Sequence, residues 1–234
     1  MDWEASRTQQ NEWLNHAGLL LPKQYRVNEK IDFPVIVKSF GAAGGRGYVI
    51  AKDKDDLKNK IKRFTSTRYI IQQYIIGVPF YIHYFYSPLL KRLEILSMDR
   101  RYESNTDGLG RIPWFDQPKD IEPSFVLIGN SPLVLRESML VTAYSMGEDV
   151  VASSKKLIDE RGLFGPFCLE TVITPDQKFY CIEISGRIVG GTNLFVDGSP
   201  YASFHFNEPM STGRRIAREI KEAIRKRRLD LLLD

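Results

Sequence analysis

The chain has 234 residues, of which 43% are hydrophobic and 26% are charged. A hydrophobic fraction this high excludes a disordered chain, and the length suffices for one good hydrophobic core or two small ones. The 33 basic side chains outnumber the 29 acidic ones by a net charge of only +4, which is too small to indicate an obligate nucleic-acid-binding protein.

The cysteine count and the first residues bear on the cellular compartment. Two cysteines in a chain of this length argue against a disulfide-built fold and predict a reducing, cytoplasmic location. The first ten residues are polar and lack the apolar segment of a signal peptide. Residues 69–90 are largely apolar, but their Val, Ile, Tyr and Phe content favours strands, and Gln72, Gln73, Pro79, His83 and Pro88 interrupt them. We therefore expect no membrane span.

The first hundred residues predict helices and strands separated by glycine and proline. A lead-in helix is expected at residues 3–17, where Gly18 and Pro22 end it. The elements predicted after it are a strand at 34–38, a glycine-rich turn at 41–47, a strand at 48–51, a helix at 54–64 and strands at 69–75, 81–86 and 92–98.

The second half of the chain continues this mixture. Residues 103–132 have the proline, glycine and asparagine content of a loop, and a helix is predicted at 138–160. Strands at 167–173 and 178–184 flank a turn sequence at 174–177. The last segment, 211–233, is predicted to be helical, with one apolar face formed by Ile216, Ile220, Ala223 and Ile224. Because helices and hairpins interleave, the fold class is α+β or mixed α/β.

The hairpin at 167–184 carries the sharpest chemical signal, because it brings two carboxylates together. If Asp176 and Gln177 are the central turn residues, facing residues have numbers that sum to 353, and Glu170 lies directly opposite Glu183. If Pro175 and Asp176 are central, the sum is 351 and the two glutamates are diagonal neighbours. Either register puts both carboxylates on one face, with Cβ atoms within about 4.5–8 Å. Like charges this close need a cation between them, and Mg²⁺ held by carboxylates and nucleotide phosphates is the natural candidate.

The alternative is a pair of solvated acids on an exposed strand face. Arg187 and the polar loop 190–193 follow Glu183 directly and favour the metal site, because Arg187 could neutralise phosphate charge beside it. Arg187 could instead pair with a surface acid. The same hairpin puts Cys168 and Cys181 several residues out of register, so we expect two free thiols in the core.

A lysine and a glycine-rich loop form a second candidate feature. Lys38 ends a buried-looking strand, and the loop 41–47 follows it at once. Glycine lets backbone N–H groups approach an anion closely, and Lys38 and Arg46 add positive charge. The loop is neither a Walker motif nor a GxGxxG turn that opens a helix, and a plain β-turn is the alternative.

The segment 71–77 combines amides with apolar residues before a glycine, as in a hinge that binds adenine through apolar walls and backbone hydrogen bonds. An ordinary core strand is the alternative. Two further segments, 100–105 and 129–131, are polar. His83 is expected to be a core or loop histidine rather than a general base. Together with the lysine strand and the hairpin, these features predict a nucleotide site between two α+β units.

Several stretches of the sequence are specific enough to indicate a protein family: VIVKSFGAAGGRGY, IQQYIIG, IHYFYSP, MDRRYESNTDGLGRIP, GPFCLE, EISGRIVGGTN and GRRIAREI. They lie between Val35 and Ile220. In these stretches the chain resembles the ATP-grasp proteins, and among them the archaeal formate-dependent 5-formaminoimidazole-4-carboxamide ribonucleotide (FAICAR) synthetases of purine biosynthesis. The resemblance extends from about Trp3 to the final helix and covers nearly the whole chain.

The resemblance implies an ATP-grasp fold with two α+β subdomains and the nucleotide between them. The implied division is a lead-in helix at 1–22, a small subdomain at 23–90 and a large subdomain at 91–234. The implied activity is that of a ligase that forms a carbon–nitrogen bond. ATP activates formate to formyl phosphate, and the amine of aminoimidazole carboxamide ribonucleotide (AICAR) attacks it to give FAICAR, ADP and phosphate.

The resemblance also implies roles for individual residues. The phosphates of ATP would be bound by Lys38, Gly44, Gly45, Arg46 and Gly47. The adenine hinge would be Gln73, Tyr74 and Ile75, with Glu103 at the nucleotide. Asn130 and Asn193 would contact the ribonucleotide, and Glu170 and Glu183 would bind Mg²⁺ or Mn²⁺. Arg187 would be the catalytic residue that stabilises the acyl-phosphate oxygens.

The family has a further N-terminal α/β domain that supplies part of the ribonucleotide pocket, and Met1 falls just before the ATP-grasp portion. We therefore expect formate and AICAR as substrates, a separate N-terminal domain or a second copy of the chain as a partner, and little product from this chain alone. The alternative is a truncated or split ATP-binding module of the same family that is inactive alone. A nucleic-acid-binding protein that uses the basic last helix is a third hypothesis, but Glu219 and Glu222 interrupt its basic residues and favour a solvated face.

Overall fold

The computed structural model describes residues 2–26, 29–39, 47–62, 68–113, 115–118, 121–192 and 194–233. The chain forms two compact units. The large unit comprises Met1–Leu21, Gly77–Arg100 and Asn130–Asp234, and the small unit comprises Pro22–Ile76 and Arg101–Gly129. This division differs from the expected boundaries after residues 22 and 90, because the chain enters the small unit twice and its first residues group with the large unit.

The small unit contains a four-stranded antiparallel sheet in the order β1-β4-β2-β3. Its strands are β1 (Gln24–Tyr25), β2 (Val35–Ser39), β3 (Tyr48–Ala51) and β4 (Tyr69–Gln73). Helix α3 (Lys54–Ile61) follows β3 and begins where the Asp53 carboxylate accepts hydrogen bonds from two backbone N–H groups of its first turn. Leu57 of α3 packs against Val35, Val37 and Ile71 of the sheet, so the predicted strand–strand–helix order builds this core.

The large unit contains a five-stranded sheet in the order β7-β6-β5-β8-β9. Its strands are β5 (Val78–Ser87), β6 (Arg92–Glu103), β7 (Leu127–Pro132), β8 (Gly165–Ile173) and β9 (Phe179–Ser185). The unit boundaries after residues 100 and 129 fall inside β6 and β7.

The main hydrophobic core lies on one face of this sheet, against the N-terminal helices and α5 (Leu140–Leu157). The predicted lead-in helix is in fact two helices, α1 (Asp2–Ala5) and α2 (Arg7–His16), because Ser6 is extended and caps α2. Trp13 of α2 is fully buried, and its indole N–H donates to the Val150 carbonyl over 3.1 Å. A buried Trp with a satisfied N–H fixes α2 against α5.

The N-terminal segment also covers the outer edge of β9. The Ile184 N–H donates to the Gln10 carboxamide over 3.3 Å, and the Gly186 N–H donates to the Glu4 carboxylate over 3.1 Å. Donors at a sheet edge need partners other than a strand when no further strand is present. These contacts explain why residues 1–21 belong to the large unit.

Helices α6 (Pro200–His205) and α7 (Thr212–Arg225) follow the sheet in sequence. The apolar face predicted for α7 is not its buried face, because Ile220 and Ile224 are 43% and 59% exposed. The buried face instead carries Arg215 and Glu219 with Ala223. Charged side chains can occupy a buried helix face when they are paired, and a search for apolar spacing does not detect that arrangement.

Four residues, Ser87, Glu94, Arg215 and Glu219, form a buried charged network that we call the Arg215 cluster. Arg215 donates to Glu94 over 2.6 Å and to Glu219 over 2.7 Å, and the Ser87 hydroxyl donates to Glu219 over 2.6 Å. The guanidinium also lies 4.1 Å from the centre of the Phe85 ring. The cluster therefore attaches α7 to the sheet face opposite the main core.

The segment predicted as a loop at 103–132 contains two elements, the short helix α4 (Thr106–Leu109) and the edge strand β7. The sequence of β7, LIGNSP, has no alternation of apolar and polar residues from which a strand could be predicted, and none of its residues is buried. Within the described parts of the chain, no helix is long and apolar enough to cross a membrane.

Candidate functional site

One row of polar side chains crosses all five strands of the large unit's sheet, on the face opposite the main core. Directly opposed residues share a face, and the opposed pairs are Asp99 with Tyr81, Tyr81 with Glu170, and Glu170 with Glu183. Asn130 on β7 is the fifth member, because its Nδ2 donates to the Asp99 carboxylate over 2.7 Å. We call these five residues the polar row. It brings the predicted substrate residue Asn130 and the predicted metal residues Glu170 and Glu183 to one face.

The β8–β9 hairpin reaches the opposition of Glu170 and Glu183 by a route that the sequence did not predict. Beside the turn, facing residues have numbers that sum to 352, a register between the two that were considered. Gln177 ends the turn with a φ of 62°, in the left-handed region. A β-bulge between Glu170 and Thr171 then shifts the register by one, so that Glu170 faces Glu183.

The two cysteines of this hairpin are buried and free, as predicted. Cys168 is opposite Ser185 and Cys181 is opposite Thr171, so they do not face each other. Burial raises the pKa of the Cys181 thiol well above its ordinary value. Neither thiol is a candidate nucleophile.

The donor chemistry of Glu170 and Glu183 fits a divalent cation. Mg²⁺ takes one or two carboxylates beside substrate phosphates, and directly opposed residues have Cβ atoms about 4.5–5.5 Å apart. Among the described residues, no group of three or more His, Cys, Asp or Glu side chains is arranged to hold a metal, so the pair would be the protein's carboxylate contribution. Arg7 Nη1 lies 3.4 Å from Glu183 Oε2 and offsets part of the repulsion. No pattern in the sequence indicated a role for Arg7.

Arg187, the predicted catalytic residue, lies just beyond β9, and 65% of its side chain is exposed. Its Nε is 3.2 Å from Glu4 Oε1, and its Nη1 donates to the Ile188 carbonyl. The guanidinium is therefore paired with an acid of α1, as the alternative interpretation held. Its exposure leaves it accessible to a ligand.

Four residues, His83, Asp99, Asn130 and Thr192, form a hydrogen-bonded group that we call the Asp99 cluster. His83 Nε2 is 2.5 Å from Asp99 Oδ1, and His83 Nδ1 is 3.2 Å from the Thr192 hydroxyl. His83 and Asp99 are 2% and 0% exposed. His83 is thus a buried histidine, as expected, but it contacts the carboxylate that holds Asn130. The sequence did not indicate Asp99, which lies 16 positions from His83 on the next strand, or the contact of Thr192, which lies 109 positions from it.

In the small unit, Lys38 is buried on β2 opposite Tyr48, and its Nζ lies 5.5 Å from the centre of the Tyr48 ring. The predicted phosphate residue Gly47 has a φ of 72°, which favours glycine. Its carbonyl accepts a hydrogen bond from the Ser39 N–H over 3.1 Å. Gly47 thus closes the β2–β3 connection immediately beside Lys38.

The predicted hinge residues Gln73, Tyr74 and Ile75 lie at and just after the end of β4. The Gln73 N–H donates to the Lys23 carbonyl, and the Tyr74 N–H donates to the Pro34 carbonyl. These two donors are therefore already engaged. The Ile75 N–H donates to no backbone carbonyl of the described residues.

Aromatic rings lie close to this hinge. Phe125 is buried, and the centre of its ring is 6.4 Å from the ring centres of both Tyr48 and Tyr74. Burial, with a smaller contribution from the Glu103 carboxylate, raises the pKa of Tyr74. The small unit thus groups Lys38, Tyr48, Tyr74, Glu103 and Phe125. The sequence missed Phe125, because it lies in a segment with the composition of a loop.

Four of the predicted site residues, Gly44, Gly45, Arg46 and Asn193, lie outside the described residues.

Comparison with known proteins identifies the class first. A family model described as the carbamoyl-phosphate synthase L chain, ATP binding domain, matches residues 17–75. The crystal structure of N5-carboxyaminoimidazole synthetase from Staphylococcus aureus complexed with ADP superposes with a TM-score of 0.61 at 16% identity, over 82% of this chain and 47% of that one. The chain therefore has the mixed α and β fold of the ATP-grasp ligases, as the sequence predicted.

More similar proteins identify the family. The 5-formaminoimidazole-4-carboxamide-1-(beta)-D-ribofuranosyl 5'-monophosphate synthetases of Pyrococcus horikoshii and Ignicoccus hospitalis are 51% and 47% identical to the chain. The alignments cover 98% and 99% of this chain, and 71% and 66% of the relatives. The crystal structure of the IMP biosynthesis protein PurP from Thermococcus kodakaraensis has a TM-score of 0.75 at 29% identity, over 98% of this chain and 68% of that one. A domain of unknown function, DUF1297, matches residues 51–233. The chain belongs to this synthetase family, whose members are ATP-grasp ligases that form a carbon–nitrogen bond.

Proposed function

We propose that the chain is an ATP- and formate-dependent ligase of purine biosynthesis that converts AICAR to FAICAR. A formate oxygen attacks the γ-phosphorus of ATP, and the bond to ADP breaks to give formyl phosphate. The AICAR amine attacks the formyl carbon and loses a proton, and the carbon–oxygen bond to phosphate breaks. This chemistry needs positioned reactants and neutralised charge more than side-chain acids and bases.

The observation that carries the proposal is the polar row. A ligase of this kind needs a contact for the ribonucleotide and a carboxylate pair for the cation that accompanies ATP. The polar row would supply Asn130 for the first and Glu170 with Glu183 for the second, and it carries all three on one sheet face. Asn193, which follows Thr192 of the Asp99 cluster in sequence, is the second proposed ribonucleotide contact.

The small unit would supply the contacts to ATP. Lys38 and the loop residues Gly44, Gly45, Arg46 and Gly47 would bind phosphates, and Glu103 would bind the nucleotide beside Tyr74. Gln73, Tyr74 and Ile75 would form the adenine hinge, with the Ile75 N–H, which donates to no described backbone carbonyl, as the donor to adenine. Apolar and aromatic walls with few polar groups are typical of an adenine pocket.

Mg²⁺ or Mn²⁺ held by Glu170 and Glu183 would neutralise phosphate charge. Arg187 would stabilise the oxygens of the acyl phosphate after leaving Glu4, a partner that a more strongly charged anion can displace from an exposed side chain. We further propose that the enzyme works in the cytoplasm, where Cys168 and Cys181 stay reduced.

Calorimetry with ATP, with and without Mg²⁺, tests the nucleotide part of the proposal. We expect binding that depends on the metal, and we expect Glu183→Gln to weaken it by about tenfold, because one of two carboxylates is lost. Glu208→Gln, at an acid 59% exposed and remote in sequence from the polar row, is the matched control and should leave the affinity unchanged. Absence of MgATP binding to the unmodified chain would refute the proposal.

Formate labelled with ¹⁸O tests the reaction itself. Formyl transfer through formyl phosphate carries one formate oxygen into the released phosphate, and mass spectrometry detects that label. Labelled phosphate that appears together with FAICAR supports the full proposal. MgATP binding without product would instead identify the chain as an ATP-binding module of the family that is inactive alone.

A further inference from the structure

Given the proposed function, we infer that Asp99 and His83 are positioning residues that fix the Asn130 carboxamide so that its oxygen faces the ribonucleotide. The Asp99 carboxylate is fully buried and accepts from two different strands. Its Oδ1 is 2.5 Å from His83 Nε2 on β5, and its Oδ2 accepts from Asn130 Nδ2 on β7 over 2.7 Å. A buried carboxylate with both oxygens engaged cannot rotate without losing a hydrogen bond.

The hydrogen bonds of His83 connect Asp99 to a loop. A carboxylate only accepts, so His83 Nε2 carries the proton that is donated to Asp99. His83 Nδ1 lies 3.2 Å from the Thr192 hydroxyl, which also accepts from the Val189 N–H over 3.0 Å. The histidine thus sets the orientation of the carboxylate and links it to the loop that contains Thr192.

The orientation of Asn130 follows from Asp99. A carboxylate only accepts hydrogen bonds, so the Asn130 NH₂ group must face it and the carboxamide oxygen must face away. Asn130 is half-buried, and its oxygen accepts no hydrogen bond from the described residues. The cluster therefore offers a fixed acceptor to a ligand, which suits a hydroxyl, amine or carboxamide N–H of the ribonucleotide.

Gly191 shows how closely the loop approaches this group. A Cβ atom at position 191 would overlap the Asp99 carboxylate, whereas a Cβ at Gly190 would meet nothing within 4 Å. The loop before Asn193 is thus held to the cluster by the Gly191 backbone and by the Thr192 hydroxyl.

Separate calorimetric titrations of the full chain with AICAR and with MgATP test the inference. We expect His83→Leu to weaken AICAR binding by about tenfold, the size of one well-formed hydrogen bond, and to change the MgATP affinity by less than about twofold. His83→Gln keeps an N–H donor at the Nε2 position and should restore AICAR binding. His205→Leu, the same change at an exposed histidine, is the control.

A double-mutant cycle separates positioning from a general loss of structure. If His83 acts through Asn130, His83→Leu should cost no further affinity in an Asn130→Ala background. Additive losses, or equal losses for AICAR and MgATP, would overturn the inference. So would an unmodified chain that binds MgATP but not AICAR. A chain that binds neither ligand refutes the proposed function instead.

Asp99→Asn tests the inference even if His83→Leu fails to fold. When the oxygen of the new carboxamide accepts from His83, the NH₂ group of that carboxamide faces the NH₂ group of Asn130, and the Asn130 carboxamide must turn over. We expect a selective loss of AICAR affinity and a shift of the Asn130 side-chain amide signals in ¹⁵N NMR spectra, assigned by their absence in Asn130→Ala. Unchanged AICAR affinity would overturn the inference.

Discussion

The same face of the large unit's sheet carries two buried charged clusters, and they differ in whether the last hydrogen-bonding group has a partner among the described residues. In the Arg215 cluster each charged side chain is paired with an opposite charge: Arg215 donates to both glutamates, and Glu94 also accepts from Arg92 over 2.7 Å. The Asp99 cluster instead ends at a half-buried carboxamide whose oxygen accepts nothing from the described residues. The Arg215 cluster is closed, whereas the Asp99 cluster is open at one end.

The difference shows that buried charge by itself does not mark a functional site. Both clusters contain a fully buried carboxylate, and both connect residues far apart in sequence. The open cluster presents a half-buried carboxamide oxygen that accepts from no described residue, and it adjoins the Glu170–Glu183 pair along the polar row. The closed cluster has a sufficient explanation in attaching α7 to the sheet.

The largest expected effect is on the closed cluster. Arg215→Met leaves Glu219 buried without a cation and Glu94 with only the part-exposed Arg92, and we expect a loss of about 3–5 kcal/mol in the free energy of unfolding. Asp99→Asn keeps a hydrogen-bonding group of the same shape and should cost only about 1 kcal/mol. Urea denaturation of both variants measures the contrast.

Arg225→Met is the matched control for this experiment. Arg225 lies on the same helix, but its ion pair with Glu222 is exposed, so we expect no measurable loss of stability. If Asp99→Asn proved as destabilising as Arg215→Met, the two clusters would share a structural role and the comparison would fail.

The next largest expected effect is the loss of stability on substituting Gly191, with the neighbouring Gly190 as its control. Gly191→Ala forces a methyl group against the Asp99 carboxylate, and we expect a loss of about 1–3 kcal/mol in the free energy of unfolding. Gly190→Ala puts the same methyl group into open space and serves as the control. Thermal unfolding of the pair tests how tightly the loop is packed on the open cluster. Equal midpoints would mean that the loop is free to move off Asp99.

Arg7 tests the other end of the polar row. Its guanidinium contacts Glu183 with neither side chain fully buried, so a bound cation would compete with a weak ion pair. We expect Arg7→Gln to strengthen Mg²⁺-dependent nucleotide binding about two- to fivefold, measured by calorimetry. Arg161→Gln, at a more exposed pair with Asp159, should have no effect. Weaker binding in Arg7→Gln would show that Arg7 is itself a ligand for the phosphates.

The sequence predicted the parts of the site that depend on local order, and it missed those that depend on distant pairing. Hairpin arithmetic predicted that Glu170 and Glu183 share a face, and they do, but a bulge and not either predicted turn register produces their opposition. Thr192 joins His83 across 109 positions, a contact that no spacing in the sequence encodes, and Asp99 joins it across the β5–β6 hairpin, whose register was not predicted. Likewise, Phe125 reaches Tyr74 from a segment without periodicity, and Arg215 occupies a buried face that hydrophobicity assigns to isoleucines.

The smallest expected effect is on the reactivity of the two cysteine thiols, which lie on opposite faces of the sheet. Cys168 is directly opposite His83 of the open cluster, whereas Cys181 belongs to the main core, and both are almost completely buried. Burial raises the pKa of the Cys181 thiol, so its reactive thiolate is scarce at pH 8 and becomes abundant only when unfolding restores an ordinary pKa. We expect neither thiol to react with a disulfide reagent in the native chain, and both to react in denaturant.

A Cys168→Ala variant distinguishes the two residues. Should Cys168 react first under native conditions, solvent reaches the sheet beneath the Asp99 cluster, and the open end of that cluster extends deeper than Asn130.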